Sequence, residues 1–143
     1  MDIPLTKLKA RFMRFTMGTA SKHIGRTLPD GTIQWGGWPS PVWQHVKTLA
    51  AATCVWFLCP LCFQRNGGSR GTHSIRIDFV GRATPDEHCM HNKQGQPVRW
   101  AVSGTGLADL VLSPSIQIEG GCNWHGYIGR THPGRAERVT VFS

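Results

Sequence analysis

Cys59-Pro60-Leu61-Cys62 places two thiols three residues apart, the spacing from which a tight turn aims both sulfurs at one cation. The proline between them pre-sets that turn. Cys122-Asn123-Trp124-His125 repeats the offset with one thiol and one imidazole. Together the boxes offer Cys59, Cys62, Cys122 and His125, a set of three cysteines and one histidine. Structural zinc is held tetrahedrally by such sets, with zinc–sulfur bonds of about 2.3 Å and zinc–nitrogen bonds of about 2.0–2.1 Å. The expected cofactor is therefore Zn2+. The ion would staple the middle of the chain to its C-terminal part, and closing so long a loop constrains the unfolded chain strongly. His73, soon after the first box, reads as a partly buried histidine bonded to backbone, with replacing a ligand or supporting one from outside the shell as its alternative roles. Cys54 reads as a buried apolar residue.

The same residue types permit other chemistry. Cys89-Met90-His91 with Cys122 and His125 has the ligand pattern of a Rieske [2Fe–2S] centre. Against it, the boxes are far apart, the residues after His91 are polar, and Cys59 and Cys62 would have no use. A redox CxxC belongs at a helix N-terminus in a thioredoxin-like unit. This one reads as following a strand and preceding a glycine-rich loop. A zinc deaminase needs a histidine with glutamate two residues on and a proline directly before the CxxC, and both are missing. Asp78, Asp86, Glu87 and Asp109 lie nearest the boxes, and none is spaced as a general base. Gly104-Thr105-Gly106 is too short for a dinucleotide fingerprint. These residues argue against an enzyme; a metalloenzyme with an open site returns only if Cys59 or Cys62 is unligated.

The elements that must position the boxes read as strands. Cys54–Leu58 is a compact apolar run. His73–Val80 alternates, with Ile75, Ile77 and Phe79 on one side and Ser74, Arg76 and Asp78 on the other. Further strands are expected at Val98–Val102, Leu110–Leu112, Ile116–Glu119, Trp124–Ile128 and Val139–Phe142, with Pro114 at a bend between two of them. Ser40-Pro41 resembles a capped helix start, and Val42, Trp43, Val46 and Leu49 recur at helical spacing, so a helix is expected over Pro41–Ala51. Leu5–Phe15 fits a basic amphipathic helix or a strand. Residues 17–40 read as loop, with a turn at Pro29-Asp30-Gly31, and residues 81–96 as polar and irregular. The expected fold is mostly β: a small antiparallel β domain with zinc-ribbon-like knuckles and one short helix in its N-terminal half. Residues 1–40 would be a basic N-terminal arm, packed on the domain or extending from it, and residues 41–143 the zinc-stapled domain.

Composition bounds the rest. A chain of 143 residues, 40% of them hydrophobic, is sized for one globular core. No apolar run approaches the ~20 residues of a membrane span, and Met1–Thr16 lacks the continuous apolar stretch of a secretory signal. With five cysteines and no export signal, a reducing compartment such as a host cytoplasm, or a virion, is expected. The net charge of +8, Trp35, Trp38 and Trp43, and Arg65, Arg70, Arg76 and Arg82 around the CxxC keep a nucleic-acid-binding zinc ribbon as the rival to a protein–protein role. Gly36-Gly37-Trp38-Pro39 and the basic N-terminus are the candidate contact surfaces. Homo-oligomerisation is left open.

The ordered boxes Phe57-Leu58-Cys59-Pro60-Leu61-Cys62, Gly71-Thr72-His73, Arg99-Trp100, Leu112-Ser113-Pro114-Ser115-Ile116 and Cys122-Asn123-Trp124-His125-Gly126-Tyr127-Ile128 resemble a small bacterial and phage family of unknown function, some of whose members are labelled ammonia monooxygenase. The resemblance covers about residues 56–130 and implies a zinc-bound β domain, with no reaction. Bacterial members resemble partners of ubiquitin-like conjugation operons, and phage members are accessory genes. The chain departs by a longer insertion between the CxxC and Trp100 and by its basic first forty residues.

Overall fold

β-branched and aromatic residues recur in the segments that pair, and glycine, proline and asparagine punctuate them. The computed structural model describes residues 3–19, 25–35, 39–118, 121–129, 135–136 and 140–141. In chain order its elements are β1 (Ile3–Pro4), β2 (Arg11–Thr19), β3 (Gly25–Thr27), β4 (Ile33–Trp35), β5 (Pro39–Val46), β6 (Cys54–Leu58), α1 (Pro60–Asn66), β7 (Ser74–Asp78), β8 (Met90–His91), β9 (Pro97–Val98), β10 (Ala101–Ser103), β11 (Val111–Gln117), β12 (Trp124–Ile128), β13 (Arg135–Ala136) and β14 (Thr140–Val141). The protein is mostly β, antiparallel between named strands, with one α-helix among the described residues. That helix is neither long nor apolar enough to cross a membrane.

Two sheets organise the molecule. One has the order β5-β2-β6-β7; the other runs β1-β13-β12-β11-β10, with β14 also paired to β12. Small hairpins β3–β4 and β8–β9 stand beside them. Phe12, Val55, Phe57, Ile75 and Ile77 of the first sheet share one core with Leu112, Ile116, Trp124 and Ile128 of the second. Phe57 meets Trp124 edge-on, with ring centroids 6.1 Å apart, the arrangement the ring quadrupoles favour. A bridge between Phe79 and Trp100 carries the chain from the first sheet to the second.

Several elements differ from the sequence-based expectation. The helix expected over Pro41–Ala51 is instead strand β5, which pairs with β2 over eight residue pairs from Phe12–Val46 to Thr19–Pro39. Val42, Trp43 and Val46 keep a helical spacing, but pairing with β2 decides the matter and places Trp43 on the opposite face from Val42 and Val46. Pro41 fits because β5 is an edge strand, where a missing N–H costs little. The short helix of this half is α1, between the two cysteines of the first box: Pro60 takes the first turn and Gly67 closes the end at φ 68°. In the N-terminal segment, residues 5–9 form a turn and β2 follows. β2 lies between β5 and β6, and Leu5 and Leu8 are fully buried, so this part of residues 1–40 is built into the domain.

The loop expected over 17–40 holds the β3–β4 hairpin, closed at its turn by the Asp30 carboxylate accepting from the Thr32 N–H and hydroxyl at 3.0 and 2.6 Å. Val98–Val102 splits into β9 and β10 around Trp100. The two strands expected around Pro114 are one, β11, whose register against β12 shifts between Leu112 and Ile116. Trp124–Ile128 is β12 as expected, and of Val139–Phe142 the described part is β14. Residues 36–38 of the expected contact surface, Trp38 among them, lie outside the described residues.

Candidate metal centre

β6 ends at Leu58, opposite Ser74 of β7. Antiparallel pairing therefore sets Cys59, just past β6, beside His73, just before β7, and the Cys59 N–H donates to the His73 carbonyl at 2.9 Å. Cys59 caps α1, so the first turn of that helix returns Cys62 to the same side. From the other sheet, the turn between β11 and β12 brings Cys122, flanked by Gly121 (φ 57°) and Asn123 (φ 54°).

Four ligand atoms converge there. The sulfurs of Cys59, Cys62 and Cys122 and a ring nitrogen of His73 all lie within 4.8 Å of one another. Cys59 Sγ is 3.4 Å from Cys122 Sγ, and His73 Nε2 is 3.4 Å from the same sulfur. Tetrahedral zinc at the bond lengths given above separates its ligand atoms by about 3.6–3.8 Å, so small adjustments complete the shell. Burial is graded: Cys59 is buried, Cys62 and Cys122 are half-buried, and His73 is exposed.

Backbone donors are arranged around the sulfurs as a cation-bound thiolate set requires. The Cys62 N–H bonds Cys59, and the Trp124 N–H bonds Cys122. Burial nevertheless pushes the Cys59 thiol up to about 12, and the nearby sulfurs of Cys122 and Cys62 add to the rise. Cys62 is raised as well, mainly by burial. At Cys122, burial acts upward but is outweighed by donation from the Trp124 N–H, His73 and the other two thiols, so this thiol is lowered. Of the three thiols, Cys122 is thus the one whose ionisation the protein groups assist, while burial and neighbouring negative charge oppose it at Cys59 and Cys62. A divalent cation supplies the charge that allows all three to ionise.

Of the four ligands expected from spacing, the structure gathers Cys59, Cys62 and Cys122. The fourth position belongs to His73, and His125 lies outside the cluster. The reason is strand alternation. Trp124 begins β12 and is fully buried, so His125 turns to the opposite face. There its Nε2 lies 2.9 Å from Ser115 Oγ on β11. The missed ligand had a legible signal: once residues 54–58 and 74–78 pair as a hairpin, the residues just outside it become neighbours.

The other candidates fall elsewhere. Cys89 is buried, its thiol donating to the carbonyls of Asp86 and Met90 at 3.3 and 3.2 Å. Neither it nor His91 joins Cys122, so the Rieske set is not assembled. Cys54 is fully buried in β6, and burial pushes its thiol up to about 11. The first box does sit at a helix N-terminus, contrary to the expected glycine-rich loop. Convergence of Cys122 and His73 on it, together with the raised Cys59 thiol, separates it from a two-cysteine redox site. Arg76 and Arg82 are committed to the fold. Arg76 pairs with buried Asp78 at 3.4 Å, and Arg82 donates to the carbonyls of Leu49, Ala50 and Ala52 at 3.0–3.2 Å.

Comparison of the chain with family profiles, curated proteins and solved structures gave no match.

Proposed function

We propose that this chain is a non-enzymatic, zinc-stapled β domain that works by contact with a protein partner, as a virion component or host-directed accessory protein of a phage. The observation that carries the zinc half is the four ligand atoms within 4.8 Å, drawn from segments flanking two different sheets. Three sulfurs and an imidazole fill a tetrahedral shell and leave no coordination position for a substrate. An ion held this way cross-links β6, α1 and β7 to the β11–β12 turn and stabilises the fold. The contact role and phage setting are supported by the ordered cysteine, tryptophan and histidine boxes and by the basic charge.

Elemental analysis of the purified chain should give one zinc per molecule. Cys122→Ser should lose the metal and the cooperative unfolding transition together, because ligand binding and folding are coupled. A fully folded wild type without metal would overturn the reading. Co-purification with virus particles, or capture of a defined protein, tests the contact half.

A further inference from the structure

Resting on the protein-contact reading above, we infer that the open edge of β11 at Ser115 and Gln117 takes an extended segment of a partner protein as an added strand, with an apolar side chain in the adjoining cavity and a carboxylate at Lys93. The edge is open for a topological reason. β10 pairs with β11 at Ala101–Ser113, Val102–Leu112 and Ser103–Val111, and the ladder stops there. Pro114 has no N–H with which to extend it. Trp100, next back along the chain from β10, turns its backbone to the first sheet instead. Its N–H donates to the Asp78 carbonyl and its carbonyl accepts from the Val80 N–H, at 2.8 and 2.9 Å. On the other side of β11, Ile116 pairs with Gly126, and the Ile118 N–H donates to the Trp124 carbonyl at 2.7 Å. Backbone groups alternate between the two sides of an antiparallel strand, so those of Ser115 and Gln117 point away from β12. The Trp100 indole N–H, 3.4 Å from the Ser115 carbonyl, lies on that side. No strand covers Gln117 there among the described residues. Donors and acceptors left in this way are a template for another strand.

The cavity beside this edge defines what fits. It holds about 410 Å³, within the range of about 300–1,000 Å³ common to ligand pockets. Apolar Met90, Val98, Trp100 and Ile118 line it together with Ser115 and Gln117. Lys93 and His91 also line it, and no acid does. Lys93 is exposed, and no ion pair joins it to a carboxylate among the described residues. An extended residue opposite Gln117 exchanges both backbone bonds with it. The apolar lining suits a neighbouring side chain of that segment, and Lys93 suits a carboxylate. A basic segment would be repelled by a chain of net charge +8. A nucleic-acid phosphate would engage Lys93 and leave the backbone of Gln117 unmet.

The test selects short random linear peptides, displayed on particles, against the full zinc-loaded chain. Enriched peptides should carry Asp or Glu close to an apolar residue. The synthesised peptide, added to isotope-labelled protein, should shift the Gln117 amide and slow its hydrogen exchange by about tenfold or more. N-methylation of the peptide should weaken binding about tenfold at alternate residues and spare those between, the mark of strand pairing. Lys93→Gln should weaken binding about threefold. Lys47→Gln, just past β5 in the other sheet, should bind as the wild type does. Absence of any enriched peptide, an unshifted Gln117 amide, methylation effects without alternation, or equal loss in the two lysine variants would each overturn the assignment. A protein partner whose binding leaves the Gln117 amide unshifted overturns this site alone and leaves the contact reading intact. Zinc content read on the same samples separates these outcomes from failure of the metal site.

Discussion

His73 and His125 occupy reversed roles relative to their spacing from the cysteines, and each can be tested by its own truncation. His73→Ala removes a ligand and should lower zinc affinity by at least about tenfold, a loss seen even when outer partners of ligands are removed. His125→Ala should keep one zinc per chain, because its Nε2 contacts Ser115 instead. Competition with a zinc chelator measures both. Asp109 makes a different residue-scale prediction. The Thr105 N–H, the Gly106 N–H and the Thr105 hydroxyl hold its carboxyl below the ordinary aspartate range. With a folded pKa below the unfolded one, its contribution is complete above the unfolded value and lost as pH falls through the folded value. An NMR titration should place the Asp109 midpoint below 3.8, and Asp109→Asn should flatten the acid limb of stability against pH.

At the scale of elements, β-pairing overrides local period. β5 contains a helix-like apolar spacing and a helix-start signal, yet its pairing with β2 satisfies the backbone groups the two strands turn toward each other. α1 exists because Pro60 and Gly67 are punctuation for a helix start and stop, and it is short because the residues after Gly67 turn back. The end of β12 shows how closely the elements approach. Gly129 lies at φ 73°, and a Cβ there would overlap the Leu110 carbonyl oxygen. Gly129→Ala should therefore destabilise the fold by at least about 2 kcal/mol, since it combines left-handed strain with a backbone clash. Urea denaturation checks this, with an unchanged slope expected if the native state stays compact.

For the whole molecule, one apolar core and one candidate ion join the same two sheets. Phe57 and Trp124 meet in the core one residue removed from β6's end and at β12's start, and Cys59 and Cys122 meet two residues beyond each. Chelation should therefore act globally. With free zinc about 1,000-fold above its dissociation constant, linkage contributes about 4 kcal/mol, and a strong chelator should remove that amount. The expected result is a lower melting temperature and a red shift of tryptophan emission as buried Trp124 meets water. A melting curve indifferent to chelator would contradict a stapling role.

How much was legible depended on range. A compact apolar run marked β6 and alternation marked β7 because both are local properties, and the cysteine spacing marked a candidate metal site because each turn is local too. Mostly antiparallel β architecture followed from those runs and their turns. The position of the helix did not, since Val42, Trp43, Val46 and Leu49 recur at helical spacing and only pairing with β2 makes Pro39–Val46 a strand. Nor did the fourth ligand, because adjacency of His73 to Cys59 exists only once β6 and β7 pair, while strand alternation from Trp124 carries His125 away. Ligand identity here is a long-range consequence of register, and register is selected by the core that the two sheets share.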